Sequence, residues 1–431
     1  MAGVSTSDFM AEINRILGLP RREERLAAAL SYQASLDSGG LAPFALFVFG
    51  QVYHRCGQLQ MVRELALDLL SRFPDRDDAG DFAVRLSQEP LILHDMIDER
   101  FVESLQAPAR RRLLRDPADV AAAAAVLVYL VKARREKAAS RLTRRFVAHA
   151  PADKIAGDVV AQRIALYDPA FDYRDEAWNG PSPGGRVTWE GARVRPGQKP
   201  IILFSGDDRY WQAFGSGILR SMARHAPNIP VHVHLVDPSP GTLEALLEVS
   251  REGPLRLGFS HETLSAQSRA SLVAVNQLRT YFACARFLAL PEILTRYDCP
   301  LFVLDMDMRL RRPLRRLHAL LEGADAATIT DPGRNPWHRA AAGMVWVAPT
   351  AHGRTYADFV ARYIRAQFTR RSAYWTVDQV VLDVANAKLI RDGGRFHAIS
   401  FAEAQRHVAF AGLFIGEMTI AEKISHLDRM D

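Results

Sequence analysis

Asp305 and Asp307 are the residues whose type and spacing point most directly to chemistry. They close the run Cys299-Pro300-Leu301-Phe302-Val303-Leu304-Asp305-Met306-Asp307-Met308, an apolar stretch of strand length that ends in two carboxylates at i and i+2. Side chains alternate along a strand, so this spacing points both carboxylates the same way. Two hard oxygen donors at the C-terminal end of a buried strand suit a divalent cation that also holds phosphates. The same residues also fit a structural role, with Asp305 closing the strand and Asp307 capping a following helix. A second such tripeptide, Asp75-Arg76-Asp77, follows Pro74 and reads as a solvated turn. The surroundings of Asp305 and Asp307 must therefore decide between the two roles.

Those surroundings alternate between strands and helices. Pro200–Ser205 reads as a continuous apolar strand, Trp211–His225 as a helix, Val231–Val236 as a strand and Thr242–Val249 as a helix. A long helix over Gln277–Leu294 leads to the buried strand Leu301–Leu304, then a helix over Pro313–Leu321, short strands at Ala326–Ile329 and Gly343–Ala348, and a helix over Arg354–Gln367. This alternation predicts an α/β domain with a mainly parallel sheet covered on both faces. Ligands bind beyond the C-terminal strand ends in such sheets, and Asp207-Asp208 follow the first strand as Asp305 and Asp307 follow a later one.

Residues 7–166 read almost wholly as helix. Two helix pairs there look alike: Ala42–Arg55 with Gln60–Phe73, ending at Pro74, and Ala118–Arg134 with Lys137–His149, ending at Pro151. The prolines are 77 residues apart, about two repeats of the length of tetratricopeptide-like units. Gly40–Pro74, with Gly50, Tyr53, Gly57 and Pro74, resembles one such unit, and a generic helical bundle fits the same pattern. Pro169, Gly180, Pro181, Pro183, Gly184, Gly185, Gly191, Pro196 and Gly197 crowd the next segment, which is linker chemistry. Trp178 and Trp189 within it indicate that part of it packs on a domain. The predicted division is a helical, tetratricopeptide-like domain over 1–167, a linker over 168–198, and the α/β domain over 199–431.

The 431 residues suffice for two or three domains with real cores, and 48% hydrophobic with 24% charged residues is ordinary for a globular chain. The longest uncharged runs, Leu41–His54 and Val120–Val131, are too short to span a bilayer, and residues 1–20 lack a secretory pattern. Cys56, Cys284 and Cys299 have no metal-ligand spacing and make no disulfide framework, which fits a cytoplasmic protein. Net charge is +6 and the pI about 9.3, with arginines clustered at Arg110–Arg112 with Arg115, at Arg309–Arg316 and at Arg370-Arg371. Such clusters suit a solvated surface, nucleic acid, an anionic membrane or a phosphorylated small molecule. No nucleic-acid-binding motif accompanies them, and a diphosphate substrate explains Arg309–Arg316, directly after the two aspartates, at least as well as a polymer does.

Four pieces follow one another in the second half. The first is Phe204-Ser205-Gly206-Asp207-Asp208-Arg209-Tyr210, with Ser221 on the next helix. The second is the helix from Gln277 to Pro291, carrying Arg279 and Arg286. The third is Leu304-Asp305-Met306-Asp307-Met308. The fourth is Ala342-Gly343-Met344-Val345-Trp346-Val347, then Trp375-Thr376-Val377-Asp378-Gln379. In this order they resemble the A-type fold of nucleotide-sugar glycosyltransferases, and they are most similar to family 8, the retaining enzymes related to bacterial lipopolysaccharide galactosyltransferases and glycogenin. The resemblance covers roughly Pro200 to Leu389.

The resemblance implies a mainly parallel nucleotide-binding sheet and transfer of a hexose, with retention, from a nucleoside diphosphate sugar, UDP-linked, to an acceptor hydroxyl. It implies that Asp207 and Tyr210 hold the nucleoside and that Arg279 reaches the donor sugar or diphosphate, with Arg286, seven residues on, as second choice. Asp305 would touch the ribose and, with Asp307, ligate Mn²⁺ or Mg²⁺. Asp378 and Gln379 would contact the transferred sugar. Arg209 replaces a usual asparagine, and Ala341-Ala342 replaces a usual Asn-Ser. The family's closing histidine with Gly-x-x-Lys-Pro-Trp is absent, which leaves His426, and after it His407, as the third metal ligand. The acceptor would be a protein or glycolipid, with a protein partner recruited by the N-terminal helices. A second reading is a non-catalytic domain that binds a nucleotide or glycan on a helical scaffold.

Overall fold

The apolar run before the two aspartates is a strand, Leu301–Asp305, and Leu301 to Leu304 are wholly buried. The computed structural model describes residues 5–36, 41–93, 98–171, 184–191, 200–252, 255–410 and 419–428. They fall into two units, Met1–Asp168 with Gly333–Asn335, and Pro169–Pro332 with Pro336–Asp431.

The strands of the second unit are β1 (Thr188–Gly191), β2 (Ile201–Asp207), β3 (Val231–Val236), β4 (Leu257–Glu262), β5 (Leu301–Asp305), β6 (Met308–Leu310), β7 (Ala326–Thr330), β8 (Ala340–Val347), β9 (Phe396–Ile399) and β10 (Val408–Phe410). Eight of them form one sheet in the order β1-β4-β3-β2-β5-β8-β7-β9, and β6 pairs with β10 in a separate ribbon. Neighbours from β4 to β5 run parallel, β8 is antiparallel to both β5 and β7, and β9 is parallel to β7. The sheet is thus mixed and mainly parallel. The chain steps from β2 outward to β3 and β4, then returns to the other flank of β2 as β5. The reversal between β2 and β5 is a topological switch point, the place where open α/β sheets bind ligands in a crevice outside the C-terminal strand ends. Ser205 pairs with Asp305 across it, so Asp207 and Asp307 both leave the sheet at that edge.

Several expectations need correction. Asp307 neither continues the strand nor caps a helix: Met306-Asp307 is a two-residue turn, and β6 follows. The next helix starts at Arg315, not Pro313. The predicted linker contains β1, an edge strand antiparallel to β4. Its Trp189 donates to Glu292 Oε1 at 2.8 Å and lies under the Arg296 guanidinium at 4.1 Å, so this part packs as its tryptophan implied. Trp178 lies outside the described residues. β4 escaped the sequence reading, as did the helices Val377–Arg391 and Phe401–His407.

Described residues of the first unit are helical throughout their regular elements, and both expected pairs form, as Pro43–Arg55 with Leu59–Arg72 and Val120–Lys132 with Glu136–His149. The same turn joins each pair. Gly57 (φ 66°) and Arg134 (φ 53°) occupy corresponding left-handed positions, 77 residues apart. Gln58 N donates to Tyr53 O at 2.9 Å, and Arg135 N to Leu130 O at 2.8 Å. These bonds satisfy carbonyls that a helix end otherwise leaves open.

The shared turn yields opposite expectations for two substitutions. Gly57→Ala forces a Cβ into the left-handed region, which costs about 1–2 kcal/mol, and displaces the Arg22 guanidinium that occupies the same space. Arg134→Gly relieves the same conformation and should cost less than about 1 kcal/mol. Urea unfolding of both variants checks this, and equal losses would contradict a common turn geometry.

Candidate active site

Arg286 organises the edge at the switch point. It lies in the helix Leu278–Tyr297, within a stretch otherwise free of charge from Thr280 to Pro291, and is almost wholly buried. A buried guanidinium must be paired, and three groups from three elements do this. Nη1 forms an ion pair with Asp305 Oδ1 at the end of β5. Nη2 approaches Asp378 Oδ2 at 3.4 Å and Ala342 O of β8 at 3.3 Å. The β7–β8 pairing shifts between Thr328 and Ile329 and skips Ala342 to Met344. This bulge releases the Ala342 carbonyl from the ladder and turns it to the guanidinium.

Asp378 sits in the first turn of Val377–Arg391, where the positive end of the helix favours a carboxylate, and its Oδ1 accepts from Gln379 N at 2.9 Å. Burial nonetheless pushes its pKa up to about 6; Arg286 opposes the rise and Asp305 adds to it. Asp305 is also raised, chiefly by burial, with Arg286 opposing and Asp307 reinforcing.

Lys423 holds the other aspartate. It rises from the helix Ile420–Asp428, pairs with Asp307 Oδ2, and donates to Tyr210 Oη at 3.2 Å. Burial alone would lower the pKa of Lys423, but Asp307 and Tyr210 outweigh it and the value rises. Tyr210 stands in the first turn of the helix Asp208–His225, whose N-cap is Asp207: Asp207 Oδ1 accepts from Tyr210 N at 2.9 Å. Asp208 instead braces the loop after β3, accepting from Ser239 N at 2.9 Å.

The structure therefore brings together Asp305, Asp307, Asp378, Gln379 and Tyr210, with Asp207 capping the helix that carries Tyr210. Arg279, the first choice for the donor contact, is exposed and stacks on Trp375 at 4.1 Å, while Arg286, the second choice, occupies the centre. His426 is on the Lys423 helix, yet among the described residues no three His, Cys, Asp or Glu side chains converge as a metal cage. His407 lies on Phe401–His407, beside Arg312, Arg316 and Arg406. Lys423 was not singled out as a functional residue; its signal was a lone lysine just past the last strand, three residues before the favoured histidine.

The donor set fits a divalent cation. Among the described residues only one oxygen of each aspartate is engaged, Asp305 Oδ1 and Asp307 Oδ2, which leaves Asp305 Oδ2 and Asp307 Oδ1 for other ligands. When all are ionised, three carboxylates face two protein cations and the cluster carries net negative charge. Mg²⁺ and Mn²⁺ accept one or two carboxylates and complete their shells with water and phosphate, so a third protein ligand is not required.

No protein-family model matches the chain, and no curated protein sequence matches it. Among solved structures it is similar to the bifunctional glycosyltransferase WbbM (16% identity, TM-score 0.31, covering 45% of this chain and 38% of that one). It is also similar to the galactosyltransferase LgtC in complex with donor and acceptor sugar analogues (20% identity, TM-score 0.31, covering 43% and 69%). A third is the glycosyltransferase GlyE of Streptococcus pneumoniae TIGR4 (16% identity, TM-score 0.32, covering 47% and 45%). The aligned part spans less than two thirds of WbbM and of GlyE.

The buried cluster sets the pH behaviour. A carboxyl with a raised folded-state pKa binds its proton more tightly in the folded chain, so Asp378 opposes folding increasingly as pH rises from about 4 to about 6. Arg286→Met removes the charge that holds both carboxyls down and should cost about 3–5 kcal/mol at pH 8. The loss should shrink at pH 5, where protonation neutralises the abandoned carboxylates. Chemical unfolding at both pH values measures it, and an equal loss at each would show that Arg286 acts by packing rather than charge.

Proposed function

We propose that the chain is a metal-dependent hexosyltransferase that uses a UDP-sugar, acts with retention, and binds its donor in the crevice between β2 and β5. The observation that carries this reading is the meeting of Asp305, Asp307 and Asp378 with Arg286 and Lys423 at the switch point. In this reading Asp207 positions the Tyr210 turn against the nucleoside. Asp305 and Asp307 hold Mg²⁺ or Mn²⁺, which neutralises charge on the leaving diphosphate. Lys423 exchanges its contact with Asp307 for a diphosphate oxygen, a point charge on a flexible stem suited to such a move. Asp378, fixed by Arg286 and the helix end, accepts from sugar hydroxyls, with Gln379 beside it. The acceptor oxygen attacks the anomeric carbon on the face the diphosphate leaves. The bond to the phosphate oxygen breaks as the new glycosidic bond forms, and the acceptor proton passes to the departing phosphate.

The helical unit, with its repeated pair of helices, would recruit a macromolecular acceptor, since repeat stacks present concave surfaces to partners. One observation favours the non-catalytic alternative: Asp305 and Asp307 are each already paired with a protein cation. Release of UDP from a UDP-hexose separates the two readings.

UDP should raise the melting temperature in the presence of Mn²⁺ or Mg²⁺ and not in excess chelator, because diphosphate and carboxylates repel without a cation between them. Asp307→Asn keeps the side-chain size and should abolish the metal-dependent part. Stabilisation by UDP that survives both chelation and this substitution would remove the aspartate pair from the donor site.

Activity should also fall as pH drops through about 6, where Asp378 takes up its proton and loses its acceptor capacity. In Asp378→Asn the residual rate should lose that inflection. An unchanged inflection in the variant would assign the titration to another group.

A further inference from the structure

The sequence cluster Arg309–Arg316 takes no part in the donor site described above. Arg309 is buried on β6 near Gly217, and the rest of the cluster forms something separate. β6 spans about 10 Å from the Asp307 turn, and beyond it the chain meets the helix Phe401–His407. Two concavities open there, of about 510 and 580 Å³, and they share Arg312 and Arg406. Arg224 and Arg311 line the first, and Arg315 and Arg316 line the second. Among the described residues, no acidic side chain lines either one and none of these six arginines forms an ion pair.

Backbone hydrogen bonds hold these charges together. β6 pairs with β10 in the register Leu310↔Val408, and Arg311 N donates to His407 O at 2.8 Å. Arg311-Arg312 and Arg406-His407 are thereby fixed side by side. Like charges placed opposite one another in a ribbon repel, and among the described residues Glu403, which faces His407, is the carboxylate that offsets them. The Nδ1 atom of His407, which lines the second concavity, is buried with no hydrogen-bond partner. A cluster of exposed guanidinium groups without carboxylate partners among the described residues is complementary to adjacent phosphates, which arginine forks bind in bidentate fashion. The concavities have the volume of small-molecule sites, and among the described residues no Phe, Tyr or Trp lines them.

We propose that this cleft is a second anion site, distinct from the donor crevice, that binds a small molecule carrying two or more adjacent phosphate groups. It requires no metal and does not depend on the function proposed for Asp305 and Asp307.

Isothermal titration with tripolyphosphate tests this in metal-free buffer at about 150 mM salt, where the screening length is about 8 Å. The full chain and Asp307→Asn should bind alike. The double variant Arg312→Ala/Arg406→Ala should bind at least about tenfold more weakly, as expected for losing two charge-assisted contacts. Both residues are exposed, so its unfolding midpoint should match that of the parent. The control Arg251→Ala/Arg256→Ala removes two exposed arginines elsewhere and should change nothing. No binding by the parent would overturn the proposal, as would an equal loss in the control, which would mean unspecific charge attraction. Tighter binding in Asp307→Asn, which removes a repelling carboxylate and releases Lys423, would place the anion in the donor crevice instead. Binding to phosphatidylglycerol vesicles without binding to tripolyphosphate would make the cleft a membrane-facing surface and would equally overturn it.

Discussion

The second unit is organised around one constraint: a cluster of carboxylates at the C-terminal edge of a buried sheet must be matched by positive charge, or the edge cannot be dry. Arg286 meets most of that demand. It ties the end of β5, the bulge of β8 and the first turn of Val377–Arg391 to a single guanidinium, so three elements far apart in sequence share one electrostatic anchor. Buried pairs of this kind add little net stability over apolar packing, but they are strongly destabilising to break. Arg286 therefore specifies geometry more than it adds stability. It fixes where Asp305 and Asp378 point, and through them the shape of the crevice.

Lys423 completes the balance from the opposite side of the crevice, and the two cations differ in kind. Arg286 is buried, planar and held by three acceptors, so it stays. Lys423 is a flexible stem with a compact charge shared between Asp307 and Tyr210, so it can exchange partners. Under the proposed function, a donor diphosphate arriving with a divalent cation would supply Asp307 with a replacement for Lys423, and Lys423 with a replacement for Asp307. The protein's own cations, Arg286 and Lys423, hold the cluster of carboxylates together.

Much of this was legible in the sequence. β5 showed as an uninterrupted apolar run, the parallel strands showed through their alternation with helices, and the order of the motifs placed the aspartates at one edge. What was missed has physical causes. β4 carries Ser260, His261 and Glu262, which weaken an apolar pattern. Yet Ser260 and Glu262 are buried because they satisfy one another's neighbours: His232 and His234 both reach Ser260 Oγ at 2.9 Å, and Tyr281 donates to Glu262 at 2.8 Å. Arg279 was preferred to Arg286 because it matched a family position, whereas local composition favoured Arg286: a charge inside an apolar helical stretch has to find a partner. β1 hid within proline and glycine, where Trp178 and Trp189 were the signs of packing and Trp189 lies on the strand itself. His426 was favoured by analogy with a missing motif, although Lys423 on the same helix was the residue that reached the aspartates.

The most direct test of the central claim is a crystal structure of the chain with UDP and Mn²⁺, using the anomalous signal of manganese to locate the metal. The account predicts a manganese peak about 2.1–2.2 Å from an oxygen of Asp305 and of Asp307, with the diphosphate against it, Lys423 turned from Asp307 to a phosphate oxygen, and Arg286 still joined to Asp378. A nucleotide bound elsewhere, or bound in the crevice with Lys423 still on Asp307 and no metal between the aspartates, would contradict it.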